Sequence, residues 1–208
     1  MCLLTASQVK SPRSSLRFEM RLRVAGVFAA LLILVVGFVT TPNAEARGRA
    51  GLLVTVYNFP STYDWRDWEE SSPWNQSRSL RRPCLTTTFT QIFHDWGRGS
   101  VGRRCNNDDF LVRYQGFIRV PTTETYTFYT STDDGFRLQI GRSVVIDDWE
   151  DQEDEEWNAE EEISLVANRG YTLEAWLYEN GGGAVAELYY SVGGDEPSVV
   201  PSSWFSHR

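Results

Sequence analysis

Lysine occurs once in this 208-residue chain, at Lys10, and nowhere after it. The net charge is −8, and residues 1–46 hold Lys10 and four arginines against Glu19 and Glu45, which leaves −11 on residues 47–208. That balance argues against nucleic acid and anionic membrane surfaces as partners, because both demand a basic face. It suits an exported protein, or one that holds a cation. Helical periodicity is also missing: no apolar repeat at three- and four-residue spacing survives in 47–208. A phosphate-binding P-loop, HExxH and GxSxG are absent too. The two histidines, His94 and His207, are far apart and neither has a partner at metal-ligand spacing. Nothing marks a catalytic triad, so the expectation is a protein that is not an enzyme. Cysteine is scarce: Cys2 stands near the start, and Cys84 and Cys105 remain as an even pair. In an oxidising compartment such a pair is expected to bond, with two free buried thiols as the alternative.

The first 46 residues differ from all that follow. Arg21 and Arg23 precede an apolar run from Val24 to Val39, and Ala44-Glu45-Ala46 closes the segment with a small-x-small tripeptide. These are the parts of a secretory signal peptide. A membrane-spanning helix wants about 20 apolar residues, and this run is shorter. Cleavage after Ala46 and a secreted or envelope location are therefore expected, with an uncleaved anchor as the alternative. Met20 is an alternative start, since nineteen residues before it make a long basic region. Residues 47–208 then form one domain of a size that supports a substantial core.

What is present is strand pattern. From Asp109 to Trp149, Phe110, Val112 and Tyr114 alternate with other residues, then Phe117 to Val120 ends at Pro121. Tyr126 and Phe128 open a second run, and Asp133-Asp134-Gly135 punctuates it before Phe136, Leu138 and Ile140. Gly141 separates Val144-Val145-Ile146 as a fourth segment. Period-two alternation broken by Gly, Pro and Asp is a strand-and-turn signal. Gly51 to Tyr57 and one strand at Leu85–Ile92 precede this region; Ile163–Val166, Tyr171–Leu177 and Val185–Tyr190 follow it. The count reaches eight to ten strands, which predicts an all-β, antiparallel β-sandwich or barrel. Trp65, Trp68, Trp74 and Trp96 are scattered through 61–108, and packing roles are expected for them rather than sugar contact. The acidic stretch 150–162 reads as a solvated, flexible face.

The ordered landmarks extend from Gly51-Leu52 and Tyr57, through Phe110, Arg113, Gly116 and Pro121, to Tyr126-Thr127-Phe128 and Ser131 to Leu138. Val145-Ile146-Asp147, Trp149, Gly170-Tyr171, Tyr178-Glu179, Gly183-Ala184, Glu187-Leu188 and Val200-Pro201 complete the set. In this order they resemble the protective-antigen fourteen (PA-14) domain, a β-sandwich of bacterial toxins, glycosidases and fungal adhesins. The resemblance covers essentially all of 51–205 and makes the sandwich the expected fold. In the adhesin branch, an Asp-Asp pair joined by a cis peptide binds one Ca²⁺, which then takes vicinal sugar hydroxyls. By position the resemblance implies Asp133 and Asp134 as that pair, Asn180 as the side chain from a second loop, and carbonyls from the following glycines. Ca²⁺ takes six to eight oxygens at about 2.3–2.6 Å, which this donor set could supply. Trp149 and Trp157 are the aromatics expected to stack on the sugar. The implied function is a Ca²⁺-dependent, non-catalytic glycan-binding or adhesion module. The competing reading makes Asp-Asp-Gly an ordinary hairpin turn and the domain a protein-interaction module for an envelope or secreted partner.

Overall fold

A computed structural model describes residues 48–59, 61, 82–154, 157 and 159–208 of the chain. The expected signal segment 1–46 and Trp65, Trp68 and Trp74 lie outside the described residues, which all fall in one compact unit, 44–208. Among the described residues no helix is long and apolar enough to cross a membrane.

Among the described residues the alternating segments become thirteen strands: β1 (Arg49–Ala50), β2 (Leu52–Asn58), β3 (Leu85–Phe89), β4 (Phe93–Gly97), β5 (Phe110–Ile118), β6 (Glu124–Asp133), β7 (Phe136–Ile140), β8 (Ser143–Asp148), β9 (Ala159–Leu165), β10 (Tyr171–Glu179), β11 (Ala184–Val192), β12 (Ser198–Val199) and β13 (Phe205–His207). All pairings are antiparallel, in two sheets. The first runs β1-β13-β5-β10-β7-β8, with β2 also on β5 and β3 outside β2. The second runs β12-β11-β6-β9, with β4 on the free edge of β11. The strands beyond the expected count are mostly short: β1, β12 and β13 have two or three residues. A segment that brief carries too few side chains to show alternation. The expected strand at 85–92 ends at Phe89 as β3, and after a bend at Thr90–Ile92 the chain adds β4, which was not expected.

Phe110, Val112 and Tyr114 of β5 face Tyr126 and Phe128 of β6 and Leu188 of β11 within one main core, all at or below 1% exposure. On the opposite side of the first sheet, Leu111, Trp149, Trp176 and Tyr178 form a smaller buried cluster. Two guanidinium groups cover it: Arg113 lies 4.8 Å over Trp176 and Arg137 lies 5.0 Å over Trp149. Both are tied back by carboxylates, Glu174 at 2.7 Å and Asp147. A ring under a held cation is well stabilised, because the quadrupole and the charge attract at this distance.

The Cys84–Cys105 disulfide, whose Cα atoms stand 5.1 Å apart, ties the entry to β3 to the segment between β4 and β5. Trp96 packs against the main core and stacks on His94 at 5.2 Å, the packing role expected of it. The bridge spans 21 residues, so reduction should destabilise the domain by about 3 kcal/mol. In a thermal melt with and without reductant this corresponds to a drop of roughly 6–12 °C. An unchanged melting point would show that the bridge constrains nothing that unfolds.

Strand pairing also corrects two expectations. β6 and β7 do not pair with each other: β6 sits between β11 and β9, whereas β7 sits between β10 and β8. Asp133-Asp134-Gly135 is therefore a crossing from the second sheet to the first, not a hairpin turn. Part of the acidic stretch is likewise ordered, since β9 begins at Ala159 and runs through Glu161 and Glu162 as the outer strand beside β6. Exposed glutamates on an edge strand discourage pairing with another chain.

Candidate functional site

Two crossings between the sheets lie side by side at one end of the sandwich. The first is Asp133–Gly135, between β6 and β7. The second is Asn180–Gly183, between the end of β10 and the start of β11. Backbone hydrogen bonds join them: the Asp134 N–H donates to the Tyr178 carbonyl at 3.2 Å, and the Tyr178 N–H donates to the Gly135 carbonyl at 3.0 Å. Gly135 is required for space. A Cβ there would run into the Tyr178 ring and stand 3.0 Å from the Glu150 nitrogen.

The Asp133–Asp134 peptide is cis. Both carboxylates turn to the same place, and Glu179, the last residue of β10, joins them. One oxygen of each of the three lies within 4.8 Å of the others. They are 8%, 5% and 0% exposed respectively. Asp134 is held on both sides: the Gln152 N–H donates to Oδ1 at 3.0 Å and the Asn180 N–H to Oδ2 at 2.7 Å. Gly183 lies close to Asp133, so that a Cβ there would be 3.1 Å from Oδ2. Glu179 has neither oxygen in a hydrogen bond. The Gly181 N–H favours its ionised form slightly without reaching hydrogen-bond geometry.

Such an assembly resists ionisation. Burial pushes Glu179 up to about 9, and the charges of Asp134, Asp133 and Asp108 add to the shift. Asp133 rises to about 7, through burial first and then Asp134, Asp154 and Glu153. Asp134 also rises by burial, with the Asn180 and Gln152 N–H groups opposing the shift. Among the described residues no arginine or histidine forms an ion pair with any of the three. A buried carboxylate without a hydrogen bond or counter-charge costs several kcal/mol as an anion. A cation is the partner that such a set lacks, and an all-oxygen set selects a hard one.

The surrounding acids form a rim. The Tyr178 hydroxyl donates to Asp151 at 2.8 Å, and Gln152 Nε2 donates to Asp148 at 2.9 Å and to the Asp134 carbonyl at 3.3 Å. The Gly182 N–H donates to Asp108 at 3.3 Å. The segment read as a flexible solvated face thus folds over the carboxylates at Asp151–Gln152, held by these side-chain bonds.

Other expected site residues stand elsewhere. Asn180 touches the cluster with its backbone N–H, while its side-chain amide donates to Asp151 at 3.3 Å. The amide nitrogen is drawn to the rim because a carboxylate waits there. Trp149, expected to stack on a sugar, is buried: it is 5% exposed, with its ring 4.7 Å from Tyr178 and Arg137 over it. Strand parity at the end of β8 turns it into the smaller cluster. Trp157 is half-buried and leans on Tyr189 at 4.9 Å and Tyr129 at 5.3 Å. Glu179 was missed as a site residue, although a signal existed. Tyr171, Leu173, Ala175 and Leu177 alternate, and the same parity puts Glu179 on the inward face of β10.

Comparison with known proteins agrees with this architecture. The PA14 domain profile matches residues 61–204. The anti-sigma-I factor RsgI3 of Acetivibrio thermocellus is 36% identical over 112 residues, covering 54% of this chain and 17% of its own length. An anti-sigma factor domain-containing protein from Clostridium clariflavum superposes with a TM-score of 0.62 at 26% identity, over 77% of this chain and 48% of that one. The chain thus spans less than half the length of these two relatives. A PA14 sugar-binding domain from an RTX adhesin superposes with a TM-score of 0.60 at 17% identity, over 77% and 99% of the two chains, and at that identity it speaks for the fold. With the sandwich, the paired crossings and the profile match in agreement, this chain belongs to the PA14 domain family.

Proposed function

We propose that this domain is a non-catalytic module that binds glycans through a calcium ion held by Asp133, Asp134 and Glu179, on an exported protein. The observation that carries the reading is Glu179, a fully buried carboxylate with neither oxygen hydrogen-bonded, set against two more buried carboxylates. When bound, Ca²⁺ would supply a hard Lewis-acid centre for vicinal sugar hydroxyls. The chain's own residues do the rest. Gln152 and Asn180 fix the Asp134 carboxylate by their backbone N–H groups. Gly181–Gly183 keep the second loop free of side chains, so that a ligand can approach. Asn180 stands at the rim, where its amide, bonded to Asp151, would have to turn to meet a bound sugar or the ion. The sugar-binding title of the RTX adhesin domain supports the ligand class by fold likeness alone.

Titration calorimetry tests the proposal. Wild type should take up one Ca²⁺ and then respond to glycan only in its presence, whereas Asp134→Ala should show no calcium heat. Equal heats for both proteins, or none for either, would sink the idea.

A second reading is favoured by the anti-sigma relatives: the domain would recognise a protein on the outer side of the envelope. A glycan array without calcium-dependent signal, together with recovery of one partner in pull-downs, would select it.

A further inference from the structure

We propose that the segment between β4 and β5 is a third element of the calcium site, with Asp108 as the residue that holds the glycine loop beside the carboxylates. The inference rests on the proposed calcium site and adds a positioning residue to it. At the centre of the Asn180–Gly183 loop, the Gly182 N–H donates to Asp108 Oδ1 at 3.3 Å. The ends of the loop are held by other means. The Asn180 N–H donates to Asp134 and its amide to Asp151, and Ala184 already belongs to β11. A Cβ at Gly181 or Gly182 would meet nothing within 4 Å, so packing does little to restrain the stretch between. Glycine loses more freedom on ordering than any other residue, which makes a run of them costly to fix. The loop nonetheless stands against the site, since a Cβ on Gly183 would lie 3.1 Å from Asp133 Oδ2. A tether at Gly182 therefore acts on the carboxylates through the loop.

Asp108 can serve as a tether because its own segment is fixed. The Cys84–Cys105 bridge ties that segment to the entry of β3. Asn106 then donates to three acceptors: its N–H to Asn58 Oδ1 at 2.9 Å, and its amide to the carbonyls of Phe59 at 3.1 Å and Asp109 at 3.4 Å. The Asn58 amide donates in turn to the Arg104 carbonyl at 3.1 Å, and the Phe59 N–H donates to the Asp109 carbonyl at 2.8 Å. The chain is thus stapled on both sides of Asp108 to the end of β2. Asp109 takes a left-handed backbone, φ +55°, as the chain turns into β5; aspartate tolerates this better than most residues. A carboxylate suits the task, because a hydrogen bond to an ionised acceptor is about twice as strong as a neutral one. Bridge, asparagines and Asp108 form one connected route from Cys105 to Gly182.

Calcium calorimetry, together with NMR relaxation of the calcium-free protein, tests the tether. Without calcium, Asp108→Ala should lower the Gly182 N–H order parameter below about 0.6, the flexible range. Wild type and Asp108→Asn, which keeps an oxygen acceptor for that N–H, should stay above it. Calcium affinity should fall about tenfold or more in Asp108→Ala. In Asp108→Asn it should stay within about threefold of wild type, because salt screens an exposed charge. Cys84→Ser combined with Cys105→Ser should lose calcium affinity as Asp108→Ala does, at a temperature where near-UV circular dichroism shows the native fold. Asn106→Ala, which keeps the bridge, should do the same and guards against a folding defect. Equal losses in Asp108→Ala and Asp108→Asn would overturn the tether and leave Asp108 a source of charge alone. Unchanged calcium affinity in Asp108→Ala, whatever the order parameter does, would overturn it with the calcium site left standing. A lower melting point in the cysteine variant with unaltered calcium affinity would overturn the anchor. No calcium heat in wild type would overturn the calcium site and the tether with it.

Discussion

Calcium at one hundred times the dissociation constant measured at pH 8 should raise the melting temperature by about 5–10 °C at that pH. The same concentration should do progressively less as pH falls towards 5. Saturation at that ratio stabilises the native state by about 2.7 kcal/mol, and a domain of this size gains roughly 2–4 °C per kcal/mol. The pH dependence follows from the carboxylates. Folding raises Glu179 from 4.5 to about 9 and Asp133 from 3.8 to about 7. A carboxyl group with a raised folded-state pKa stabilises the fold fully below its unfolded pKa. That contribution is lost as pH rises through the folded value. The calcium-free protein should therefore weaken between about pH 5 and pH 9, over the range in which the same groups become ready to accept the ion. At low pH the proton and Ca²⁺ compete for the same oxygens, so the gain shrinks. Glu179→Gln carries a neutral group into the same space. It should flatten the calcium-free pH profile, raise its alkaline end, and weaken calcium binding by about tenfold or more. Melts from pH 5 to 9, in chelator and in calcium, would check this. An equal calcium gain at pH 5 and pH 8, or an unaltered gain in Glu179→Gln, would remove Glu179 from the site.

Gly135→Ala should destabilise the domain by about 1–3 kcal/mol, the usual range for forcing an extra methyl into a packed interior. The new Cβ would strike the Tyr178 ring and crowd the Glu150 backbone nitrogen at 3.0 Å. Tyr178 is not free to step aside. Its N–H is bonded to the Gly135 carbonyl, its carbonyl accepts from Asp134, its hydroxyl donates to Asp151, and its ring packs on Trp149. The displacement would therefore reach the Asp134 backbone and the rim together, and calcium affinity should fall with stability. Urea denaturation separates this clash from a general loss. In a Tyr178→Ala background, Gly135→Ala should cost at least about 1 kcal/mol less than it does in wild type, because neighbouring sites are coupled. Strict additivity would show that the glycine serves something other than clearance for that ring.

Much of the architecture was legible in the chain before folding. Alternation at 110–120, 126–140, 171–177 and 185–190 identifies β5, β6, β7, β10 and β11, because a strand with one buried face must repeat every second residue. The missing helical period and the even cysteine pair pointed to an all-β domain with one bridge, and the structure has both. The acidic balance of 47–208 and the adjacent Asp133 and Asp134 were visible as a place that could want a cation.

Tertiary structure decided the rest. The segment Asp133–Gly135 reads locally like a hairpin, and only the partners of β6 and β7 show that it crosses between sheets. Trp149 and Trp157 look alike as sequence, yet one is covered by Arg137 and Tyr178 and the other lies on an outer face, because burial depends on what packs over a side chain. Glu179 stands 45 residues beyond Asp134 and joins it only because the two crossings share one end of the sandwich. Periodicity is a property of neighbours along the chain, so the sequence alone determined the longer alternating strands and their faces. A site made of groups from two crossings depends on how the sheets are paired and stacked, and that order exists only in the folded protein.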